Sequence, residues 1–195
     1  MKKAIILHGT GSTPDDNWFP WLKHELEFRG YEVFVPQLPD SSTPNRHRYD
    51  DFLRKSGWDF SDNIIVGHSS GSTTILNLLE QDWFPHVKAA VFVGFFVNND
   101  YIENNPPEWY TPGQFKNLFP PEGFNFAKVK EKSEHRYVIH SDNDPYCDPK
   151  LAADTAKLIG AELRIVPGGK HLSKNSGGYI ELPEIIEVLE NNDLI

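Results

Sequence analysis

A serine at the centre of residues 67–71 is the side chain in this sequence best placed to act as a nucleophile. The segment reads G-H-S-S-G and matches the pattern G-x-S-x-G. An apolar run at 63–68 precedes Ser69, and a segment of helical period at 70–81 follows it. This context predicts a tight strand-to-helix turn that holds Ser69 exposed above a sheet, where the helix N-terminus favours negative charge. The alternative is an ordinary serine-rich helix N-cap.

A nucleophilic serine needs a histidine as its base and a carboxylate that orients the histidine. Two later turns provide candidates, and each follows a predicted strand. The first contains Asp144, with Asp142 as a near neighbour, and the second is a glycine-rich turn that contains His171. The chain order Ser69, Asp144, His171 is the order that accompanies a strand–serine–helix turn of this kind. The alternatives are a turn aspartate before Pro145 and an exposed loop histidine.

The loop after the first predicted strand is a candidate site for a developing negative charge. The strand runs into it through His8, and the sequence there reads His8-Gly9-Thr10-Gly11. In this type of active site two backbone N–H groups stabilise the oxyanion, one from such a loop and one from the residue after the nucleophile. We therefore expect the N–H groups of Thr10 and Ser70 to form the oxyanion hole, and His8 to have a structural role.

The same loop is also compatible with a different interpretation, a nucleotide-binding module that uses Gly9 and Gly11. Residues 9–14 follow a predicted strand and differ at one position from the pattern G-x-G-x-x-G, because Pro14 replaces the third glycine. That glycine permits close packing of a helix on the strand, and the next predicted helix begins only near Trp18. The nucleotide-binding interpretation is therefore the weaker one.

Short β-rich runs alternate with longer segments of helical period along the chain. The predicted strands are 4–8, 31–35, 63–68, 89–93, 137–140 and 162–166. The predicted helices are 18–29, 46–55, 70–81, 149–159 and 183–191. This alternation predicts an α/β fold, in which a parallel sheet is covered by helices on both faces. We expect Ser69 to emerge at the carboxyl edge of that sheet.

Length and composition indicate one domain over residues 1–195. The chain has 38% hydrophobic residues and a net charge of −9, and it lacks basic runs, which argues against nucleic acid or a membrane as partner. One cysteine, Cys147, excludes an internal disulfide and a cysteine-cluster zinc site; we expect no metal and no cofactor.

The apolar run at 4–7 is too short for a signal peptide, which predicts a cytoplasmic protein. The oligomeric state is left open.

Residues 94–126 do not follow the alternation of strands and helices. They contain nine aromatic side chains and five prolines. Long irregular segments in compact domains are often functional. We expect this one to fold over Ser69 as a short lid and to line an apolar or aromatic acyl pocket, with Trp109 and Tyr110 as the substrate-binding candidates. The alternative is a surface loop that its aromatic side chains pin to the core.

Four pieces of the sequence together are typical of one known family. They are Asn17-Trp18-Phe19-Pro20-Trp21, Gly67-His68-Ser69-Ser70-Gly71, residues 141–145 and the two glycines shortly before His171. With them the chain resembles the small α/β-hydrolase family of the retinoblastoma-binding protein 9 type. The resemblance implies a six-stranded parallel sheet, for which we expect the strand order 2-1-3-4-5-6, and a catalytic triad at Ser69, Asp144 and His171. Because the chain has no L-x-C-x-E motif, a pocket-protein partner is not expected.

The predicted activity is acyl transfer to water on a small-molecule ester, thioester or amide. Ser69 would attack the carbonyl carbon, His171 would act as base and then as acid, and Asp144 would fix the tautomer of His171. Two other classes of function stay open. One is a catalytically weak binding or interaction protein on a hydrolase fold, since fold does not dictate function. The other is the nucleotide-binding module described above.

Overall fold

Six parallel strands form one sheet in the computed structural model, which describes residues 2–195. The strands are β1 (Lys2–Leu7), β2 (Tyr31–Phe34), β3 (Ile64–His68), β4 (Val87–Val93), β5 (Ser133–Ser141) and β6 (Glu162–Val166). Their order across the sheet is β2-β1-β3-β4-β5-β6, which confirms the predicted order. In the centre of the sheet, Ile6 of β1 lies opposite Val66 of β3, and Val66 lies opposite Val91 of β4.

Within residues 2–195 there are seven helices, of which six lie between strands and the seventh follows β6. They are α1 (Phe19–Phe28), α2 (Arg46–Arg54), α3 (Ser70–Glu80), α4 (Asp100–Asn104), α5 (Phe126–Lys132), α6 (Pro149–Ile159) and α7 (Pro183–Glu190). The five predicted helices are all present, and α4 and α5 are additional. Because α4 has five residues and α5 has seven, neither is long enough to show a clear helical period in the sequence. None of the seven is both long and apolar enough to cross a membrane.

A separate hydrophobic core lies on each face of the sheet. Alternate residues of a strand point to opposite faces. In β1, Ala4 and Ile6 therefore join the core that includes α1 and α7, whereas Ile5 and Leu7 join the core that includes α2, α3, α5 and α6. The central strands are apolar on both sides, which is typical of a parallel sheet that helices cover on both faces.

The strand order opens a crevice at the carboxyl edge of the sheet. From β1 the chain crosses to β2 on one side, and then returns to β3 on the other side of β1. The loops that follow β1 and β3 therefore leave the same edge in opposite directions, and ligands bind at this point in sheets of this kind. The loop after β1 contains Thr10, and the turn after β3 contains Ser69.

Residues 94–126 form much of a small third core. Its buried members are Phe96, Ile102, Phe115, Leu118 and Cys147. The segment is also bonded to the helix that follows Ser69, because the Asn77 side chain of α3 donates to the Leu118 carbonyl over 2.9 Å. Aromatic and aliphatic side chains, together with this hydrogen bond, thus anchor the segment at several points.

Candidate active site

Ser69 occupies a sharp turn between β3 and α3. β3 ends at His68 and α3 begins at Ser70, so Ser69 alone connects them. The backbone angles of Ser69 are φ 55° and ψ −123°, a strained combination for a residue with a side chain. The Ser69 N–H donates to the Val93 carbonyl at the end of β4 over 2.8 Å and so holds the turn in place. Strain of this kind persists only where the surrounding structure enforces it.

The two glycines of the motif allow α3 to pack directly against the sheet. A Cβ atom at Gly71 would overlap the Leu7 carbonyl oxygen of β1, and one at Gly67 would lie 2.6 Å from the Ser72 nitrogen. Both neighbours are backbone atoms, so they cannot move without displacing a strand or a helix. The pattern G-x-S-x-G therefore reflects the close approach of α3 to the sheet as well as the sharp turn.

Gly71→Ala is expected to lower stability and activity together. The added methyl group overlaps the backbone of β1, and overpacking of this kind costs about 1–3 kcal/mol or more. Thermal unfolding should therefore show a clearly lower Tm. Gly113→Ala is the matched control, because a Cβ there meets no atom within 4 Å and adds only the strain of a φ of 79°. A Gly71→Ala protein with the Tm and turnover of the wild type would contradict the close packing.

His171 and Asp144 form a buried hydrogen-bonded pair. The Nδ1–H of His171 donates to Asp144 Oδ2 over 2.8 Å. The other carboxylate oxygen accepts the N–H groups of Tyr146 and Cys147 over 2.8 and 3.1 Å. Burial raises the pKa of Asp144, but the charge and hydrogen bond of His171 and the further contacts outweigh burial, so that this pKa lies below its ordinary value. An ionised Asp144 keeps the histidine proton on Nδ1 and leaves Nε2 free to accept another.

Asp142 contacts the backbone of the histidine loop and not the imidazole. Its side chain is exposed, and its Oδ1 accepts the Gly168 N–H over 2.7 Å. This bond ties the turn after β5 to the glycine-rich turn after β6. Of the two neighbouring aspartates, the structure therefore brings Asp144 to His171.

Ser69 and His171 line one cavity of about 360 Å³. Its other polar lining residues include Thr10, Ser12, Asn17, Ser173, Asn175 and Ser176. No Lys, Arg, Asp or Glu lines the cavity within residues 2–195, and the aromatic rings of Trp109 and Tyr146 line it beside these polar residues. Among the hydrogen bonds of residues 2–195, none joins Ser69 Oγ to His171. Catalytic hydrogen bonds are often long in the absence of substrate and shorten when it binds.

Two backbone N–H groups lie on chain segments that meet beside Ser69: that of Thr10 in the loop after β1, and that of Ser70 at the start of α3. Thr10 Oγ1 donates to Ser70 Oγ over 2.9 Å, which joins the two segments. A Cβ at Gly9 would lie 3.0 Å from Ser69 Cβ, so the first loop runs directly beside the serine. Among the hydrogen bonds of residues 2–195, neither N–H donates to a protein acceptor. Ser70 also begins α3, where the helix dipole favours a negative charge.

His8 has the structural environment that the sequence predicted for it. Its Nε2 accepts the Leu38 N–H over 2.9 Å, and its Nδ1–H donates to the Gly9 carbonyl over 2.9 Å. Burial lowers the pKa of His8, so the ring stays neutral and keeps both bonds. The ring thus joins the loop after β2 to the loop that carries Thr10.

Trp109 and Tyr110 are neighbours in the chain but differ in position. Trp109 lines the cavity, although 46% of the residue is exposed. Its ring meets Tyr146 edge to face at 5.3 Å, and Tyr146 meets the His171 ring edge to face at 5.0 Å. Tyr110 is not part of the cavity lining and instead stacks on Phe115 in the third core. Of the two substrate-binding candidates, only Trp109 reaches the cavity.

Sequence reasoning did not identify Asn17, Tyr146 or Asn175 as cavity residues. Asn17 has a φ of 54°, and its Oδ1 accepts the Lys174 N–H over 2.9 Å. This bond connects the segment before α1 to the loop after His171. No local pattern marks such residues, because the contacts that position them join segments far apart in the chain.

The loop at Gly9 and Gly11 lacks the helix that a dinucleotide-binding loop requires. After Gly11 the chain makes turns, and α1 begins only at Phe19. A helix N-terminus therefore does not follow the glycines, and it is this N-terminus that binds the pyrophosphate in such sites.

One group of metal-binding side-chain types comes together within residues 2–195. It consists of Asp144, Cys147 and His171, whose nearest donor atoms lie within 4.8 Å of one another. Asp144 and His171 are bonded to each other, and the Cys147 thiol donates to the Gly94 carbonyl over 3.2 Å. Burial raises the pKa of Cys147 well above its ordinary value, which keeps the thiol protonated. Hydrogen bonds within the protein thus account for this grouping.

Comparison of the sequence with known proteins gives matches over nearly the whole chain. The profile of the serine hydrolase family matches residues 4–191. YdeN of Bacillus subtilis (strain 168) is 28% identical over 189 residues, which cover 96% of this chain and 94% of YdeN. The serine hydrolase RBBP9 of Rattus norvegicus is 23% identical over 192 residues, which cover 97% of this chain and 94% of RBBP9.

Solved structures agree with these sequence matches. The crystal structure of the ydeN gene product from B. subtilis superposes with a TM-score of 0.82 at 25% identity and covers 98% of both chains. Est1E from Butyrivibrio proteoclasticus has the same fold, with a TM-score of 0.69 at 15% identity over 99% of this chain and 87% of Est1E. The family match at residues 4–191 includes all six strands, β1 from Ala4 onward, and the loops at the carboxyl edge of the sheet. The chain therefore belongs to the serine hydrolase family.

Proposed function

We propose that this protein hydrolyses short, uncharged acyl compounds, esters above all, through a covalent acyl-enzyme on Ser69. One observation carries the proposal: Ser69 on its strained turn lines the same cavity as His171, and His171 is hydrogen-bonded to the buried Asp144. A serine on such a turn and a histidine oriented by a buried carboxylate are the parts of a nucleophilic triad.

In the proposed reaction, His171 Nε2 takes the hydroxyl proton as Ser69 Oγ bonds to the substrate carbonyl carbon. The carbonyl electrons move onto its oxygen, which the N–H groups of Thr10 and Ser70 stabilise. The imidazolium then gives its proton to the leaving group, which departs with the electrons of the broken bond. Water repeats both steps on the acyl-enzyme and releases the acid. Asp144 holds the imidazole and stabilises its charge throughout.

The character of the cavity supports a short, uncharged substrate. Its volume of about 360 Å³ lies near the lower end of small-molecule sites. The amides of Asn17 and Asn175 and the hydroxyl of Ser12 offer hydrogen bonds, while Trp109 offers an aromatic surface. A long alkyl chain would contact these amide and hydroxyl groups as well as the aromatic rings, which favours it less than a wholly apolar pocket would. Measuring kcat/KM for a matched panel of esters, thioesters and amides with two to eight acyl carbons would rank the preference for leaving group and for acyl-chain length.

A fluorophosphonate probe tests the proposal, because only an activated serine reacts with it quickly. We expect one adduct per chain, assigned to the Ser69 peptide by mass spectrometry, and slower labelling when p-nitrophenyl butyrate is present. Acid-denatured protein is the control and should stay unlabelled. A native protein that stays unlabelled, or an adduct on another residue, would refute the proposal and favour a hydrolase fold that acts as a binding protein.

Trp109→Ala is expected to change substrate preference with little loss of stability. The side chain borders the cavity, but 46% of the residue is exposed. Its removal therefore enlarges the cavity without leaving a void in a hydrophobic core. We expect the ratio of kcat/KM between octanoate and butyrate esters to change about three- to tenfold, equivalent to about 0.7–1.4 kcal/mol. Steady-state kinetics and thermal unfolding measure the two quantities.

Tyr110→Ala is the matched control for Trp109→Ala, since it removes the neighbouring aromatic ring from the third core. It should lower the Tm and leave the preference for chain length unchanged. This pair also tests our proposal that residues 94–126 act as a short lid over Ser69. If Trp109→Ala lowers the Tm and leaves the preference for chain length unchanged, residues 94–126 are a surface loop that its aromatic side chains hold to the core.

A further inference from the structure

A second imidazole lies beside the Asp144 carboxylate. His140, near the end of β5, is completely buried. Its Nε2 is 3.8 Å from Asp144 Oδ2, the same oxygen that accepts the proton of His171 Nδ1. Among the described residues, this Nε2 has no hydrogen-bond partner. Two imidazoles therefore adjoin one carboxylate oxygen, and only that of His171 is bonded to it.

The other ring nitrogen of His140 determines where its proton lies. Nδ1 is 2.9 Å from the Ser141 carbonyl oxygen, and a carbonyl can only accept, so Nδ1 carries the hydrogen. In the neutral ring, Nε2 is then an acceptor that faces another acceptor, Asp144 Oδ2. Such a buried, unpaired arrangement is unfavourable. A proton on Nε2 would replace it with an attraction between opposite charges, and closing the 3.8 Å gap would complete a charged hydrogen bond.

The groups that face His140 act on its pKa in opposite directions. Burial lowers the pKa and is the largest influence. The Asp144 carboxylate and the carbonyl groups of Ser141 and Phe95 raise it, whereas positive charge on His171 lowers it. The net direction is downward. His140 is therefore neutral near neutral pH and gains its second proton only on acidification.

We propose that His140 is a positioning residue that couples its own protonation to the hold of Asp144 on His171. The inference rests on the proposed triad. While His140 is neutral, Oδ2 accepts from His171 alone and keeps the catalytic imidazole oriented. Once Nε2 carries a proton, it donates to Oδ2 in competition with His171, and its positive charge opposes an imidazolium there. Both effects weaken His171 as a base. The active form is therefore the one in which both rings are neutral, and a proton on either ring lowers activity.

The pH dependence of kcat/KM for an uncharged ester tests this coupling. For the wild type, the acid limb of log kcat/KM against pH should approach a slope of about 2, because two protons must be lost. His140→Phe keeps a ring of similar shape without a titrating group, and its slope should be about 1. A wild-type slope of 1, or an unchanged slope in His140→Phe, would overturn the inference.

His135→Phe is the matched control for the pH profiles. His135 lies on the same strand, and its Nε2 is 3.4 Å from Glu134 at the surface. Its replacement removes one histidine from β5 without touching Asp144, so the wild-type slope should be retained. A slope that falls equally in both variants would mean that the loss of any β5 histidine produces it, which contradicts a specific role for His140.

Long-range ¹H–¹⁵N spectra of the wild type provide a test that needs no variant. At neutral pH we expect His140 to carry its hydrogen on Nδ1, and on acidification both ring nitrogens should become protonated. The Nδ1–H signal of His171 should shift over the same pH range. A neutral ring with the hydrogen on Nε2, or a ring that stays neutral until the protein unfolds, would overturn the inference.

His171→Ala separates failure of this inference from failure of the proposed function. If that variant retains turnover, the proposed triad itself is wrong. If it is inactive while the wild type and His140→Phe share one pH profile, the triad stands and only the role of His140 is refuted.

Discussion

Ser69→Ala is expected to lower kcat/KM for a short ester by about 10³- to 10⁶-fold and to leave the fold intact. The variant lacks the nucleophile, so the remaining rate comes from binding and from the oxyanion donors. In residues 2–195 the Ser69 hydroxyl makes no hydrogen bond, and alanine fits the backbone conformation as well as serine does. The free energy of unfolding should therefore change by no more than about 0.5 kcal/mol. Steady-state kinetics and thermal unfolding measure both effects.

Fluorophosphonate labelling of the same variant identifies the nucleophile directly. Ser12→Ala is the matched control, because it removes another hydroxyl that lines the cavity. This control should still be labelled, and Ser69→Ala should not. Labelling that survives in Ser69→Ala and moves to Ser70 or Ser72 would show that the turn presents a different serine.

Asp144→Asn is expected to lower kcat by about 10⁴-fold. The asparagine oxygen can still accept the N–H groups of Tyr146 and Cys147, which directs its NH₂ group at His171 Nδ1. Because that NH₂ donates, Nδ1 must lose its hydrogen and Nε2 must carry it. The imidazole then has no lone pair for the proton of Ser69. The loss should appear in kcat and in the rate of fluorophosphonate labelling.

Asp142→Asn is the matched control for Asp144→Asn. Its side chain is exposed and accepts one backbone N–H, from Gly168, which an amide oxygen can also accept. We expect a loss of less than about tenfold, since no buried charged contact is removed. Equal losses in the two variants, or a larger loss in Asp142→Asn, would mean that the orienting acid has been misassigned by two residues.

The sequence by itself determined the sheet, the five longer helices and the turn at Ser69. These features depend on local patterns, because apolar runs mark buried strands and glycines flank the serine where α3 meets the sheet. The pattern was weakest at β5, which begins at Ser133, four residues before the predicted start at 137. Residues 133–136 read S-E-H-R and show no apolar run. Their pairing with β4, where Val87 lies opposite Ser133, makes them a strand.

Only the tertiary structure decided between neighbours of the same chemical type. The N–H groups of Tyr146 and Cys147 hold one oxygen of Asp144, and its other oxygen meets His171. The neighbouring Asp142 instead accepts the Gly168 N–H in the turn before His171. Trp109 borders the cavity, whereas the next residue along the chain packs in the third core.

The role inferred for His140 has the same origin, since nothing in an apolar strand marks one histidine as the neighbour of a carboxylate. Side-chain directions in irregular loops and at strand ends are set by contacts between segments that are distant in the chain. Such contacts depend on how the helices and loops pack on the sheet, and they leave no periodic signal in the sequence.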